Sequence, residues 1–540
     1  LSMTDNLLFF DFISNSRYNK DIKGHSISAL AGWTMQYQRD ESTYAFANGF
    51  ITNNVPTLNA GTVTRGDSHA SEWALLSGLA RVQYNYKGKY MVTGALRADG
   101  ASRFGKDNRW GWFPSVSAGW RLTEEPFMKS LTFIDDLKLR ASYGLTGNFR
   151  IPNYGAQGEV AYYSYVLGGN SADVVKGAAP KSMPNPELHW EKTAQVNIGF
   201  DASLFKNRLT LGLDLYNSNT YDLLLDVPVP MTTGYKTRLE NIGKVNNKGV
   251  EFNIATNQKM GDFNWSVYFN ISKNINEVKE LGPGNADIIS SGSVSNAYFI
   301  TRVGEPIGSY YLPVVEGVFK NQEEVDATLH YMDSPTNYGL ADTKPGDFKF
   351  KDVNGDKVLD ISDTDRAIVG NYMPDFIYGF GATLAWKGID FGIVFQGVQG
   401  NEILNLSRRY FYNHEGNMNN YKGALNRWKS EDEPGSGMNV RANRVSKGQN
   451  GTTSTWHVED GSYLRIKNIS LGYTLPENWI KKVYLKSARI YCSLQNPFTF
   501  THYEGYNPEV SNRSAVTTNG EDYGVYPLAR TTSIGVNLTF

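Results

Sequence analysis

Twelve consecutive residues, Asp352-Val-Asn-Gly-Asp-Lys-Val-Leu-Asp-Ile-Ser-Asp363, carry oxygen donors at a spacing that can wrap a hard cation. Asp352, Asn354 and Asp356 fall at positions 1, 3 and 5 of an EF-hand-like loop. Val358 offers a carbonyl at position 7, and Asp360 and Asp363 follow at 9 and 12. The segment therefore predicts a structural Ca2+ site. Two departures oppose it: position 6, where Gly permits the sharp turn, is Lys357, and position 12 is Asp in place of the longer Glu. No helical periodicity flanks the segment, so an ion here would staple a loop and would not work a switch. The alternative is an acidic turn whose side chains hold their own backbone.

Other chemistry is sparse. The seven histidines, His25, His69, His189, His330, His414, His457 and His502, form no His-Glu-x-x-His pattern or comparable metal cluster. The single cysteine, Cys492, lies on what reads as an apolar strand face, where packing is its expected role. Carboxylate pairs at Glu124-Glu125, Asp135-Asp136 and Glu323-Glu324 read as solvated loop or strand-end charges. No catalytic residue is assigned, and neither an enzymatic activity nor a required cofactor is expected. Aromatic and amide side chains cluster at Tyr162, Tyr163 and Tyr165 and at Tyr410, Phe411, Tyr412, Asn413 and His414. Such groups suit sugars or peptides, through stacking and paired hydrogen bonds, and are the candidate substrate or partner contacts. Packing within loops is the competing reading.

The elements that position these residues are strands. The 540 residues include 53 Gly, 33 Tyr, 27 Phe and 11 Trp, a composition rich in turns and aromatics. Mean hydropathy is −0.42 and no apolar run reaches the roughly 18 residues of a transmembrane helix. That leaves open a transmembrane barrel, whose strands are apolar on one face only. With 53 basic against 54 acidic residues, no polyanion-binding surface is indicated and nucleic acid is not an expected partner. The chain opens Leu1-Ser-Met-Thr without a secretion signal, so it reads as a processed precursor or the downstream part of a longer polypeptide.

Period-2 alternation recurs from about residue 24 to the end. Leucines at 209, 211, 213 and 215 alternate with Thr210, Gly212, Asp214 and Tyr216, and Lys206-Asn207 turns the chain back to Val196–Ser203. Hairpins are predicted likewise around Met260-Gly-Asp262 and Lys387-Gly388. The other connections are long: about 147–190, 276–374 and 401–455 are polar and rich in Gly, Pro and Asn. Short turns at one end and long loops at the other are the asymmetry of an outer-membrane barrel, with short periplasmic turns and long extracellular loops. Loops of such length are expected to be ordered and functional.

The last strand fits this. Ile534, Val536, Leu538 and Phe540 share one face, and Ser533, Gly535, Asn537 and Thr539 the other. In Ala488–Gln495, Ala488, Ile490, Cys492 and Leu494 face lipid, and Arg489, Tyr491, Ser493 and Gln495 face a wet lumen. Trp110, Trp112, Trp120, Trp265, Trp386 and Tyr473 are candidates for interfacial girdles. The expected fold is all-β: an antiparallel transmembrane β-barrel portion of roughly 14–16 strands, spanning residues 1–540 as one domain.

Gly94–Arg121, continuing through Glu124-Glu-Pro-Phe127 and Leu137–Asn148, closely resembles the SusC/RagA family of TonB-dependent outer-membrane transporters. So do Asn185–Glu191, Asn241–Glu251, Pro345–Asp356 and Tyr463–Tyr473, in the family's order. All these landmarks resemble the family's C-terminal part. The resemblance implies a barrel of about 22 strands whose N-terminal half carries a plug domain, the TonB-contacting segment and the first strands. An open sheet would leave edge donors unsatisfied in lipid, so the missing strands are expected from another chain or from upstream in the same precursor. The resemblance further implies active import powered through the TonB complex, a SusD-like surface lipoprotein over the extracellular mouth, and residence in the outer membrane of a Gram-negative, Bacteroidetes-type cell. Oligosaccharides are the expected cargo, with oligopeptides as the alternative. An adhesin-like or structural barrel, or a barrel-borne hydrolase, is the reading from another class.

Overall fold

The computed structural model describes residues 2–540 apart from 53, 56, 167–173, 295, 335, 336, 339–341, 413, 415–418, 444–448, 482, 483 and 511–515. Fifteen strands form one sheet: β1 Ser2–Ile22, β2 His25–Asn48, β3 Thr62–Tyr86, β4 Tyr90–Ala101, β5 Trp110–Arg121, β6 Ile134–Asn148, β7 Glu191–Leu204, β8 Leu209–Tyr221, β9 Lys244–Met260, β10 Phe263–Glu280, β11 Phe376–Trp386, β12 Ile389–Gln399, β13 Tyr463–Thr474, β14 Ser487–Thr501 and β15 Thr531–Thr539. Each strand lies beside the next in the chain. Where the registers are recorded, the pairs are antiparallel, from Ser2 opposite Ala45 to Gln495 opposite Thr531.

This order sorts the connections by end. At one end of the strands the links are 23–24, 87–89, 122–133, 205–208, 261–262, 387–388 and 475–486, none longer than 12 residues. At the other they are 49–61, 102–109, 149–190, 222–243, 281–375, 400–462 and 502–530, up to 95 residues long. The turn chemistry is local: Lys87 and Lys387 adopt positive φ (52° and 46°) and each is followed by a positive-φ glycine, Gly88 and Gly388.

Alternation places the apolar side chains where expected. Ile534 and Phe540 are 78 % and 77 % exposed, as a lipid-facing row requires. Trp110 and Trp112 stand at the long-loop end of β5, and Trp120, Trp386 and Tyr473 at the short-turn end of their strands, all of them exposed. Two details differ from the sequence reading. Ala488 is buried, because the helical turn Glu477–Ile480 packs on the start of β14. Arg489 is not merely solvated, since its guanidinium grips Asp390 of β12, with Nε to Oδ1 at 2.8 Å.

The sheet also starts earlier than residue 24. β1 reads as irregular because Asn6-Leu-Leu-Phe-Phe-Asp11 lacks clean alternation, yet it pairs along its length with β2. β2 and β3 are 24 and 25 residues long, whereas about 9–11 residues suffice to cross a bilayer. Of β3, only Leu75–Tyr86 pair with β4, so Thr62–Ala74 extend beyond it toward the long-loop end.

Contact density divides the chain into two units, one of residues 1–132, 136–200 and 216–245, the other of 133–135, 201–215 and 246–540. The first has a core of Phe104, Phe113, Leu188 and Trp190, with Trp190 Nε1 donating to the Arg109 carbonyl at 2.8 Å. The second has several cores, and most of them lie within its long connections.

Candidate functional site

The connections 281–375, 400–462 and 502–530 are built as folded structure. Ile288–Ser291, Tyr298–Thr301, Ser309–Pro313 and Arg366–Gly370 make a four-stranded sheet, and Glu402–Asn405 lies between Val458–Asp460 and Glu521–Asp522 in a three-stranded one. Val318, Phe319, Val325, Tyr338, Phe348, Phe350 and Trp456 enclose an apolar core. Helix Gln322–Tyr331 covers part of it, its first turn capped by Asn321, whose Oδ1 accepts from the Glu324 amide at 3.0 Å. These loops hold shape because they bury apolar surface as a small domain does.

Buried polar groups fix the loops to one another and to the strands. Tyr310 is fully buried and donates to the Glu402 carbonyl at 2.8 Å and the Gly520 carbonyl at 3.1 Å, joining all three connections. Asp347 is fully buried and accepts from Arg441 Nε at 2.7 Å and Asn450 Nδ2 at 3.0 Å. Arg465 of β13 is 1 % exposed. It donates to Thr499 and Asn507, each at 2.8 Å, and pairs with Glu509, which also accepts from the Tyr463 hydroxyl. Tyr503 donates to Asp522.

On this frame sits a run of tyrosines. Phe411 stacks on Tyr421 with centroids 4.4 Å apart and planes 16° from parallel, and Tyr412 meets Tyr421 and Trp456 edge-on. Tyr410 contacts Tyr523 through their hydroxyls at 3.0 Å. Burial and then the Tyr506 hydroxyl push Tyr421 up to about 12, and the Tyr523 hydrogen bond raises Tyr410. Both phenols therefore stay protonated donors across the physiological range. Tyr506, Tyr523 and Tyr526 are exposed. The cluster offers ring faces and hydroxyls at one edge of the loop core, a surface suited to stacking and hydrogen bonding.

Of the sequence-predicted contacts, Tyr410 and Tyr412 are in this cluster and both are half-buried. His414 is buried, its Nδ1 2.9 Å from Asn420 Oδ1, and desolvation lowers its pKa. Asn413 lies outside the described residues. Tyr162, Tyr163 and Tyr165 belong to the other unit, on the hairpin Val160–Val166 and Val174–Pro180, at 84 %, 54 % and 66 % exposure. In that unit a cleft of about 570 Å³ is lined by Glu159, Lys181, Asp226, Lys236 and Arg238. Sequence reasoning missed Tyr421, Tyr506 and Tyr523, which no local pattern groups with residue 410.

The Asp352–Asp363 loop is arranged around amides. Asp352 accepts from Gly355 and Lys357, Asn354 Oδ1 from Asp356, Asp356 Oδ1 from Val358, and Asp360 Oδ1 from Ser362. Buried Asp365, outside the predicted ligand set, takes the amides of Val353 at 2.8 Å and Asp360 at 2.7 Å. Lys357 adopts φ +62°, the left-handed geometry its position demands. Among the described residues no three His, Cys, Asp or Glu side chains gather at metal-holding distance. Glu125 also departs from the sequence reading: it is buried and accepts from Tyr90 at 2.7 Å and Trp120 at 3.0 Å while pairing with Lys89 at 2.6 Å.

Residues 3–496 match the family described as TonB dependent receptor-like, beta-barrel. The chain belongs to this family. It is 37 % identical to TonB-dependent receptor P3 of Formosa agariphila over 97 % of its own length and 51 % of that protein's. To TonB-dependent receptor SusC of Bacteroides thetaiotaomicron it is 30 % identical, over 88 % of this chain and 44 % of SusC. The solved structure of the RagAB peptide transporter superposes on all of the chain and 56 % of its own, with a TM-score of 0.81 at 26 % identity. The chain thus spans about half the length of the curated relatives it matches. It is antiparallel barrel wall with its loops, of the outer membrane, in a family of transporters and receptors.

Proposed function

We propose that this chain supplies wall strands and surface loops to a TonB-dependent importer of SusC type, which takes up oligosaccharides together with a SusD-like surface lipoprotein. The observation that carries the cargo reading is the tyrosine edge from Tyr410 to Tyr523, mounted on loops whose buried pins hold it rigid. Ring faces stack on the apolar faces of sugars, and phenols kept protonated donate to sugar hydroxyls. The relation to SusC supports the same class of transporter. Oligopeptide import is the second reading, favoured by the fold shared with the RagAB peptide transporter. A plug, strands beyond these fifteen and TonB contact belong to the whole transporter under this proposal.

The test is uptake of labelled oligosaccharides and oligopeptides by cells with and without TonB. The proposal expects TonB-dependent entry of an oligosaccharide, reduced when Tyr421 and Tyr506 are replaced by Ala. Entry of peptides alone would shift the cargo to the second reading. Surface binding that needs no TonB would identify an adhesin instead.

A further inference from the structure

The outer face of β2–β5 ends, at the short turns, in a continuous row of rings. His25 lies opposite Tyr86, Tyr86 opposite Tyr90, and Tyr90 opposite Trp120, so all four side chains leave the same face on adjacent strands. The centroid separations along the row are 4.5, 6.5 and 6.4 Å. The next positions on that face, Ile27, Tyr84, Val92 and Ala118, continue it toward the lipid-facing middle of the strands. The row therefore marks the boundary where hydrocarbon gives way to headgroups.

Cations stand immediately beyond it. Lys23 and Lys87 occupy the two turns at the tips of β1–β2 and β3–β4, both with positive φ. The turns touch, since the Lys87 amide donates to the Gly24 carbonyl at 2.7 Å. Lys87 Nζ lies 5.2 Å from the Tyr86 ring centroid. Lys89 is held by Glu125, but no carboxylate pairs with Lys23 or Lys87 among the described residues. In the other unit Lys387 follows Trp386, which is opposite both Phe263 and Ile389, repeating the order of outward ring and then turn lysine. The seven short-turn segments 20–25, 86–90, 121–136, 204–209, 259–263, 386–390 and 474–489 contain 14 Lys and Arg against 8 Asp and Glu, whereas the whole chain has 53 against 54.

We infer that Lys23, Lys87 and the His25–Tyr86–Tyr90–Trp120 row form a binding site for an anionic glycerophospholipid of the leaflet at the short-turn end, phosphate on the lysines and acyl chains along the apolar face. The choice of occupant rests on charge and position together. Exposed ammonium groups without a carboxylate partner attract an anion at the membrane surface, and the adjoining apolar face suits an acyl chain. Neither a sugar nor a soluble phosphate satisfies both. The inference rests on the membrane placement of the barrel and is independent of its cargo.

The test is native mass spectrometry of the purified full-length transporter with added phosphatidylglycerol or phosphatidylethanolamine. Wild type should retain phosphatidylglycerol preferentially, and K23A/K87A should weaken that binding roughly 25-fold, at about fivefold per lysine. K320A, in the long connection 281–375, should leave binding unchanged. Heat-modifiable migration on gels checks that each variant is folded, and K87M, which keeps the side-chain stem over Tyr86, supplies the reading if the double variant is not. Equal retention of the two lipids by wild type, or unchanged phosphatidylglycerol binding in a folded lysine variant, would overturn the inference. So would equal competition by glycerol 3-phosphate, which carries the anion without the chains.

Discussion

Replacing Arg465 tests how the strands govern the surface loops. Its guanidinium leaves β13 on the polar face and is 1 % exposed, so no water can take over the bonds it makes. It holds Thr499 of β14 and, in the connection 502–530, Asn507 and Glu509, and it lies 5.1 Å from the Tyr463 ring. R465M keeps the stem and removes every donor. Loss of one partner from a buried ion pair costs about 3–5 kcal/mol. Here the cost belongs toward the lower end, because Glu509 retains the Tyr463 hydroxyl at 3.0 Å and Lys467 at 3.4 Å. Asn507 keeps no such substitute for its carbonyl except the Glu509 amide at 3.2 Å.

The expected result is local. About 3 kcal/mol exceeds what a surface loop retains against opening, and 502–530 should lose its slow-exchanging amides in hydrogen exchange while β13 and β14 keep theirs. R465K, which keeps the charge but not the fork, should lose about 1.5–2 kcal/mol and show intermediate protection. Because Tyr506 and Tyr523 ride on this connection, cargo affinity should fall with the same ranking. If R465M exchanges like wild type throughout 502–530, the guanidinium is not the anchor and the coupling of wall to loops proposed for it is wrong.

Asp347→Asn should weaken the Arg441 and Asn450 contacts by about 1.5–3 kcal/mol, read as faster proteolysis or exchange in 344–350 and 439–451 and little change elsewhere. His457 is fully buried and its pKa is lowered from 6.5 to about 3, first by desolvation and then by Arg408, so the native loops hold it neutral. A depressed base is protonated in the unfolded state first, so the stability of this core should be complete above pH 6.5 and fall toward pH 3 by up to about 1.4 kcal/mol per unit; His457→Phe should flatten that slope in a pH series of thermal melts. For the Asp352–Asp363 loop, EDTA should leave exchange protection unchanged, whereas Asp365→Ala should cost about 1–3 kcal/mol by stranding the amides of Val353 and Asp360. A chelator effect comparable to that of Asp365→Ala would place an ion in the loop. Tyr523→Phe should cost under about 1 kcal/mol and leave folding intact, since its ring remains against Tyr410 while one hydroxyl contact is lost.

What could be read from the sequence follows from the range of the interactions involved. Hairpins such as Leu209–Tyr221 with its neighbour Glu191–Leu204 announce themselves because alternation and a turn lie in one short continuous stretch and one face must be apolar throughout. β1 escaped because Asn6–Asp11 places polar and apolar groups on both faces. The tyrosine edge was half legible: Tyr410 and Tyr412 are two residues apart in sequence, but Tyr523 joins them through a contact spanning 113 residues. The acidic loop was legible only as a string. Its ligand spacing is a property of a short string, whereas the residue that organises its backbone is Asp365, beyond the string and chosen by burial. Glu125 likewise read as one of two solvated acids until the strand register set Tyr90 and Trp120 beside it.

The two ends of the sheet thus solve different problems with the same strands. At the short turns, an outward ring followed by a turn lysine occurs at Tyr86-Lys87 and again at Trp386-Lys387, as a shared lipid boundary requires of strands that cross it. At the other end no such common environment exists, and each connection must supply its own reason to be ordered. Tyr310, Asp347 and Arg465 are those reasons: each is buried, each is satisfied, and each ties segments that are distant in the chain. Substitutions at the short turns should therefore change lipid association while cargo handling persists, and substitutions at the three pins should do the reverse. A pin variant that altered phosphatidylglycerol retention, or a turn-lysine variant that altered cargo affinity, would show that the ends are coupled through the wall.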